Sequence, residues 1–218
     1  MDNVYKRVSL VDRVFEKIED DILFGRYPRG EVLTEMRLAE ELGVSRTPIH
    51  DALLRLAEER LIEDNGRGFT VLGITREDVE DIMEIRHNVE GLASYYTTLN
   101  RTQETLDELL HIVELQEFYT AKGDRDRTKE MDDQFHSAIC RLCKHNVISD
   151  TLIPLHRKTR RYRRISMENR QRSAKTMKEH RAMYEAIMAG DAKLAMELTT
   201  EHIANAKIHM MGCVNING

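Results

Sequence analysis

The sequence contains little cysteine and proline and no tryptophan. Its 218 residues include three cysteines and three prolines. An odd number of cysteines does not build a disulfide framework. Cys140 and Cys143 form a CxxC pair within an apparent helix, but a second such pair is missing. We therefore interpret these two cysteines as small buried residues rather than as a zinc or redox site.

Signals for membrane insertion and secretion are also missing. No stretch approaches the roughly 20 apolar residues of a membrane-spanning helix. Residues 1–10 are charged, which is not typical of a signal peptide. The formal net charge is −5. We therefore expect a cytoplasmic protein that has no membrane partner.

Signatures of common enzyme classes are absent as well. The sequence has no glycine-rich motif that would cradle a phosphate and no Ser/His/Asp arrangement that would indicate a hydrolase. No β-rich run follows residue 73. We predict a mainly α protein that is not an enzyme, with one domain over residues 1–74 and a second over residues 75–218.

Residues 34–72 have the pattern of a helix-turn-helix followed by a β-hairpin. Thr34 is placed to cap a first short helix, and Gly43 is placed to end it. Thr47 is placed to cap a second helix, with Pro48 at its first position. The apolar residues of the two helices recur at helical spacing: Met36, Leu38, Ala39 and Leu42, then Ile49, Leu53, Leu56 and Ala57.

The predicted hairpin follows the second helix without a gap. Residues 61–62 begin a strand, Asn65-Gly66 is a two-residue turn signal, and residues 69–72 form the return strand. An upstream helix has apolar residues at the same helical spacing: Val11, Val14, Phe15, Ile18 and Ile22. We therefore predict a winged helix-turn-helix domain over residues 8–73.

A winged helix-turn-helix reads DNA with the first residues of its second helix. Arg46, Thr47 and His50 project from that position, and Arg37 and Arg67 also fall where the fold would face phosphate. Up to residue 74 there are 11 Lys and Arg against 15 Asp and Glu, a net charge of −4. Local cations would therefore have to carry the phosphate contacts. The alternative is a small helical domain that does not touch DNA.

Beyond residue 74 the pattern predicts helices only. Two Gly-Asp pairs, Gly123-Asp124 and Gly190-Asp191, are each placed to end one helix and cap the next. Short connections of this kind make neighbouring helices antiparallel. We therefore predict an antiparallel helical bundle.

Four ionisable residues fall on the predicted inward faces of three helices in this bundle. Asp132 and His136 stand four residues apart on one helix, and His180 and His202 lie among apolar residues on two others. A divalent cation would replace the cost of burying them separately, and three nitrogens with one oxygen suit Zn²⁺ or Ni²⁺. The alternative is a surface pair of Asp132 with His136 and two ordinary histidines. Spacing alone leaves both interpretations open.

A basic run covers residues 157–164. It is typical of a solvated helix face, and a second nucleic-acid patch is another interpretation. We favour a third, in which one arginine, such as Arg163, enters the bundle and binds an anionic ligand near the metal. Arg86, with Glu90 one turn later, is a similar candidate, and its alternative is an exposed pair within one helix.

Residues 8–73 resemble the DNA-binding domain of the GntR family, whose recognition helix typically has the sequence S-R-T-P-hydrophobic-R-E-A-L. Here residues 45–53 are SRTPIHDAL, so His50 replaces the usual arginine and Asp51 the usual glutamate. The resemblance implies DNA contacts by Arg37, Arg46, Thr47 and Gly66.

Residues 75–212 resemble the FCD effector domain of the FadR subfamily. The family's metal-binding sequence, D-x-x-F-H followed by two later histidines, matches Asp132 to His136, then His180 and His202. The resemblance implies that Asp132, His136, His180 and His202 bind the metal. It also implies that the protein is a homodimeric repressor or activator released from operator DNA by a small carboxylate. Two other interpretations are a regulator for which the metal itself is the signal, and a metal-dependent enzyme fused to a DNA anchor. The enzyme is disfavoured because no general base or nucleophile is evident beside the four ligands.

Overall fold

The computed structural model describes the backbone of residues 9–214 and side chains as far as residue 212. The charged segment over residues 1–8 lies outside the described residues. The chain divides into two compact units, one ending at Thr75 and the other beginning at Arg76. The predicted mainly helical fold class, with a small sheet in the N-terminal unit, is confirmed. Among the described helices, none is long and apolar enough to cross a bilayer.

From residue 9 onward, where the structure describes it, the first unit contains three helices and three short strands. They are α1 (Leu10–Leu23), β1 (Val32–Leu33), α2 (Glu35–Leu42), α3 (Arg46–Glu58), β2 (Ile62–Asp64) and β3 (Phe69–Val71). The strands form an antiparallel sheet in the order β1-β3-β2. The core of this unit comes from the predicted apolar stripes, with Phe15, Ile18, Leu38, Ile49, Leu53 and Leu56 almost fully buried.

The start of α3 differs from the prediction. Ser45, not Thr47, is the residue before the helix, and its side chain makes no capping hydrogen bond. Thr47 therefore lies inside the first turn. Pro48 fits there too, because the amide groups of a first helical turn have no partner within the helix.

The hairpin is also wider than the predicted two-residue turn. Asp64 pairs with Phe69, so four residues connect the strands. The unpredicted strand β1 passes close to this loop: a Cβ on Gly68 would lie 2.8 Å from the carbonyl oxygen of Leu33. A glycine at position 68 therefore lets the wing pack against β1.

The second unit, as far as residue 214, is a bundle of six helices. They are α4 (Arg76–Leu99), α5 (Gln103–Lys122), α6 (Arg125–Leu142), α7 (Asn146–Ser166), α8 (Arg170–Ala189) and α9 (Ala192–Val214). Both predicted Gly-Asp connections are confirmed. Gly123 and Gly190 end α5 and α8 in the left-handed conformation. The side chain of Asp124 accepts a hydrogen bond from the amide of Arg127, and that of Asp191 from the amide of Leu194.

The core of the bundle contains both cysteines of the CxxC pair. Cys140 and Cys143 are fully buried and not joined to each other. Burial raises the pKa of the Cys140 thiol well above its usual value, so the thiol stays protonated. These observations agree with the interpretation of the pair as small core residues.

Candidate functional site

The start of α3 and the tip of the hairpin border one open groove of about 450 Å³ in the first unit. Its lining residues come from α2, α3 and the hairpin: Thr34, Glu35, Met36, Arg46, His50, Asp64, Gly66, Arg67, Gly68 and Phe69. Four of the residues predicted to contact DNA, Arg46, His50, Gly66 and Arg67, therefore lie around a single groove. Thr47 and Arg37 do not line it.

Arg37 is held elsewhere in the first unit. Its Nη1 donates a hydrogen bond to Glu31 Oε1 at 2.6 Å and its Nε to Glu41 Oε1 at 2.7 Å. Its guanidinium also lies 5.6 Å from the centre of the Tyr27 ring. These contacts tie α2 to the preceding loop. Because 43% of the Arg37 side chain is exposed, its predicted DNA contact outside the groove stays a prediction.

Sequence reasoning missed Glu35, which lies at the first position of α2. Its carboxylate accepts hydrogen bonds from Arg46 Nε and Nη2, at 3.1 and 2.7 Å, and its other oxygen lies 2.9 Å from His50 Nδ1. The hydrogen bond from Arg46 is the main reason that the pKa of Glu35 is lowered. Two of the predicted DNA contacts thus share one acidic partner.

In the second unit, three helices bring together the predicted metal ligands. Asp132 and His136 lie on α6, His180 on α8 and His202 on α9, and no side chain of the four is more than 2% exposed. The candidate ligand nitrogens of the three histidines lie within 4.8 Å of one another. His136 Nε2 is 3.3 Å from His202 Nε2, and Asp132 Oδ1 is 3.8 Å from His180 Nε2.

A close contact between α4 and α9 helps to build this cluster. A Cβ on Gly91 would lie 2.7 Å from Thr200 Oγ1 and 3.1 Å from the carbonyl oxygen of Met196. A glycine here therefore lets α9 approach α4. The approach places His202 near His136 and its neighbour Glu90.

Each of these histidine rings is oriented by a hydrogen-bond acceptor that is not one of the four predicted metal ligands. His136 Nδ1 lies 2.8 Å from Glu90 Oε1, His180 Nδ1 2.8 Å from Gln116 Oε1, and His202 Nδ1 2.7 Å from Glu179 Oε2. An acceptor at this distance favours the tautomer in which Nδ1 carries the proton. Nε2 is then the unprotonated nitrogen of each ring, the atom that a metal-binding histidine offers when its Nδ1 is hydrogen-bonded.

Burial controls the charges in this cluster. It lowers the pKa of His136 and His180 well below the usual value, so both rings are neutral at pH 7, as a metal ligand must be. It raises the pKa of Asp132. Within the described residues, His180 Nε2 is buried without a hydrogen-bond partner, and Asp132 Oδ1 lies 3.8 Å from it. A divalent cation bound by both atoms would satisfy His180 Nε2, so the residues present fit a metal with three nitrogens and one oxygen.

A second group of possible ligands shares residues with the first: Glu90, His136 and His156. It is less suited to a cation because both carboxylate oxygens of Glu90 already have partners, Oε1 at His136 Nδ1 and Oε2 at Arg86 Nε. Arg86 Nε lies 2.9 Å from Glu90 Oε2, and Arg163 Nη1 lies 3.2 Å from His156 Nδ1. We therefore assign Glu90 to orienting His136.

Both arginines predicted near the metal are buried in the bundle. Arg86 is 1% exposed, so the alternative of an exposed Arg86–Glu90 pair is wrong. Arg163 is 6% exposed, with its Nε 3.0 Å from Asp132 Oδ2 and its Nη2 paired with Asp133. The side chain of Arg163 thus enters the bundle from the basic run, as expected, while its binding to an anionic ligand stays a prediction.

A third buried arginine, Arg172, was not predicted. Its Nη1 lies 3.0 Å from Glu179 Oε2. The three arginines line one small cavity of about 10 Å³, together with Asp132, His136, His202 and four other residues. This volume is about that needed for one water molecule. Sequence reasoning also missed the acceptors that orient the histidine rings. One signal could have revealed them: Gln116 is a polar residue on the apolar face of α5.

Comparison with known proteins gives two family matches, which together span most of the chain. Residues 10–71 match the family described as bacterial regulatory proteins, gntR family, and residues 81–205 match the FCD domain. The gluconate operon transcriptional repressor of Bacillus licheniformis is 30% identical over 142 residues, which are 65% of this chain and 58% of that protein. The probable D-xylose utilization operon transcriptional repressor of Paenarthrobacter nicotinovorans is 25% identical over 91% of this chain and 87% of that protein.

Solved structures show the same fold. Escherichia coli McbR/YncC superimposes with a TM-score of 0.75 at 23% identity, covering 90% of this chain and 94% of that one. A GntR regulator from Rhodococcus sp. RHA1 gives a TM-score of 0.70 at 23% identity, covering 93% and 97%. The chain therefore belongs to the GntR family of bacterial transcriptional regulators, in the group with an FCD domain, and it is a DNA-binding regulator rather than an enzyme.

Proposed function

We propose that this regulator is a homodimeric repressor whose helical unit binds a divalent metal and a small carboxylate effector that alters its affinity for operator DNA. One observation carries the proposal: three buried histidines, each with an acceptor at Nδ1 that leaves Nε2 as the ligand atom, lie in one cluster beside Asp132. Zn²⁺ or Ni²⁺ suits this set of donors, which would leave one or two positions open for a ligand.

The buried arginines support an anionic effector beside the metal. Arg86 and Arg163 line the same small cavity as Asp132, His136 and His202. A guanidinium binds a carboxylate with two parallel hydrogen bonds. In this proposal the metal takes one carboxylate oxygen and the arginines hold the rest of the anion. Two similar proteins, the gluconate operon repressor and the probable D-xylose utilization operon repressor, support repression as the mode of action.

A second candidate function is that the metal itself is the signal. The cavity volume of about 10 Å³ favours this alternative, because an ion fits where a carboxylate would first have to displace side chains. The two candidates differ in metal exchange. A permanently held ion is part of the structure, whereas an ion that exchanges at cellular concentrations could act as the signal.

Elemental analysis tests the metal centre. Protein purified without an affinity tag or a chelator is expected to carry about one divalent ion per chain, bound by Asp132, His136, His180 and His202. A tag-free preparation is needed because a histidine tag binds the same ions. Protein that contains no metal and takes up none from solution would contradict the proposal, while leaving the DNA-binding function intact.

A further inference from the structure

One carboxylate in the groove holds two side chains of the recognition helix α3. Glu35 Oε2 accepts from Arg46 Nε and Nη2, while Glu35 Oε1 lies 2.9 Å from His50 Nδ1. Arg46 and His50 are four residues apart, so they project from the same face of the helix. The carboxylate therefore links two neighbouring side chains on the face predicted to read bases.

The bonds to Glu35 use only one edge of the Arg46 guanidinium. A guanidinium has five N–H donors, and Nε with one Nη2 hydrogen forms the edge that Glu35 binds. The opposite edge, with Nη1, stays open to a ligand, and 71% of the side chain is exposed. That edge can donate two parallel hydrogen bonds to guanine O6 and N7, the commonest specific contact in the major groove.

The negative charge of Glu35 in this groove is expected to weaken DNA binding. The groove would face DNA phosphates, which repel the carboxylate of Glu35. Asp64, the other acid in the groove, accepts a hydrogen bond from the amide of Gly66 at 2.8 Å and so shapes the turn of the wing. Glu35 contacts Arg46 and His50 instead, the residues that sequence reasoning assigned to DNA recognition.

We propose that Glu35 is a positioning residue that determines DNA specificity by holding Arg46 and His50 in one arrangement. On the correct sequence both side chains bind base edges without leaving the carboxylate. On another sequence they have to abandon Glu35 or leave base groups unpaired, while the repulsion between Glu35 and phosphate remains. The residue thus lowers the affinity for non-operator DNA more than the affinity for the operator.

Two substitutions of Glu35 separate its position from its charge. Glu35→Gln removes the charge, whereas Glu35→Asp keeps the charge in the first turn of α2 but withdraws the carboxylate by one methylene group. Glu40→Gln is the matched control, because Glu40 is exposed on the same helix and does not line the groove. The probes are the duplex that the wild-type protein enriches from a random library and a scrambled duplex of equal length.

Both Glu35 variants are expected to lower the ratio of enriched-duplex to scrambled-duplex affinity by at least about fivefold, the low end for one bidentate base contact. Glu40→Gln is expected to keep the wild-type ratio, and melting temperatures measured in parallel monitor folding. An unchanged ratio in Glu35→Gln and Glu35→Asp would overturn the proposal. An equal loss in Glu40→Gln would overturn it as well.

A mutant cycle tests whether Glu35 acts through Arg46 and His50 or only stabilises the fold. In a chain that already carries Arg46→Ala and His50→Ala, Glu35→Gln is expected to alter the affinity ratio by less than about twofold, the usual limit for independent sites. The reason is that the two side chains through which Glu35 acts are then gone. A full Glu35→Gln effect in that background would show that Glu35 acts by another route.

Discussion

Zinc is expected to raise the melting temperature of the native regulator and to leave that of His180→Ala unchanged. A ligand that binds only the folded state stabilises it by about 2.7 kcal/mol at 100 times its Kd. For a chain of this size that corresponds to a rise of roughly 5–10 °C. His180 is fully buried, with Nε2 near Asp132 and Nδ1 on Gln116, so its loss removes one ligand from the centre. Differential scanning calorimetry with and without zinc measures the rise.

The comparison depends on the zinc-induced rise and not on the starting stability of the variant. His180→Ala also leaves a cavity and removes the partner of the Gln116 amide oxygen. The melting temperature of this variant without metal is therefore expected to fall. His111→Ala is the matched control, because His111 is exposed on α5 away from the cluster, and it should rise with zinc as the native protein does. A full rise in His180→Ala would show that zinc binds elsewhere.

Arg46→Ala is expected to weaken operator binding by about 1–3 kcal/mol, or roughly 5- to 150-fold, through one base position. The Arg46 side chain is 71% exposed and its described partner is Glu35, so its removal should cost the fold little. Arg67→Ala at the wing tip should instead weaken binding to all sequences alike, because a phosphate contact carries no base information. Anisotropy titrations at fixed salt, against operator variants with single base changes, distinguish the two.

The losses of operator affinity in the two variants show whether α3 is the recognition helix. If Arg46→Ala keeps full operator affinity, α3 does not read the bases. If Arg67→Ala changes the preference at a single base pair, the wing reads sequence and is not only a phosphate contact.

The sequence predicted the fold of the first unit well because its apolar residues follow helical spacing. It missed β1, since a strand of two residues is too short to have a period of its own. That Arg37 pairs with two acids also could not be read from the sequence. Its partners Glu31 and Glu41 meet it only after the loop and α2 have folded, and many exposed arginines stand near acids without pairing.

In the bundle interior, too, the sequence predicted positions within one helix but not contacts between helices. Asp132 and His136 were correctly placed on one inward face of α6 because a spacing of four residues fixes one helical face. The acceptors that orient the histidines come from distant parts of the chain: Glu90 is 46 residues from His136, and Gln116 is 64 residues from His180. Such pairs depend on how the helices pack, which the periodicity of a single helix does not contain.

One titration tests most directly whether metal and carboxylate in the bundle control DNA binding. Operator affinity is measured at fixed salt for metal-free protein, for metal-loaded protein, and for metal-loaded protein with each of a panel of di- and tricarboxylates. Regulation requires the ligand to bind the DNA-competent and incompetent states with different affinities. We expect at least one carboxylate to change operator affinity by roughly 5- to 150-fold, and only in the metal-loaded protein. A change with metal alone would favour the metal as signal, and bound ligands that leave operator affinity untouched would contradict the account.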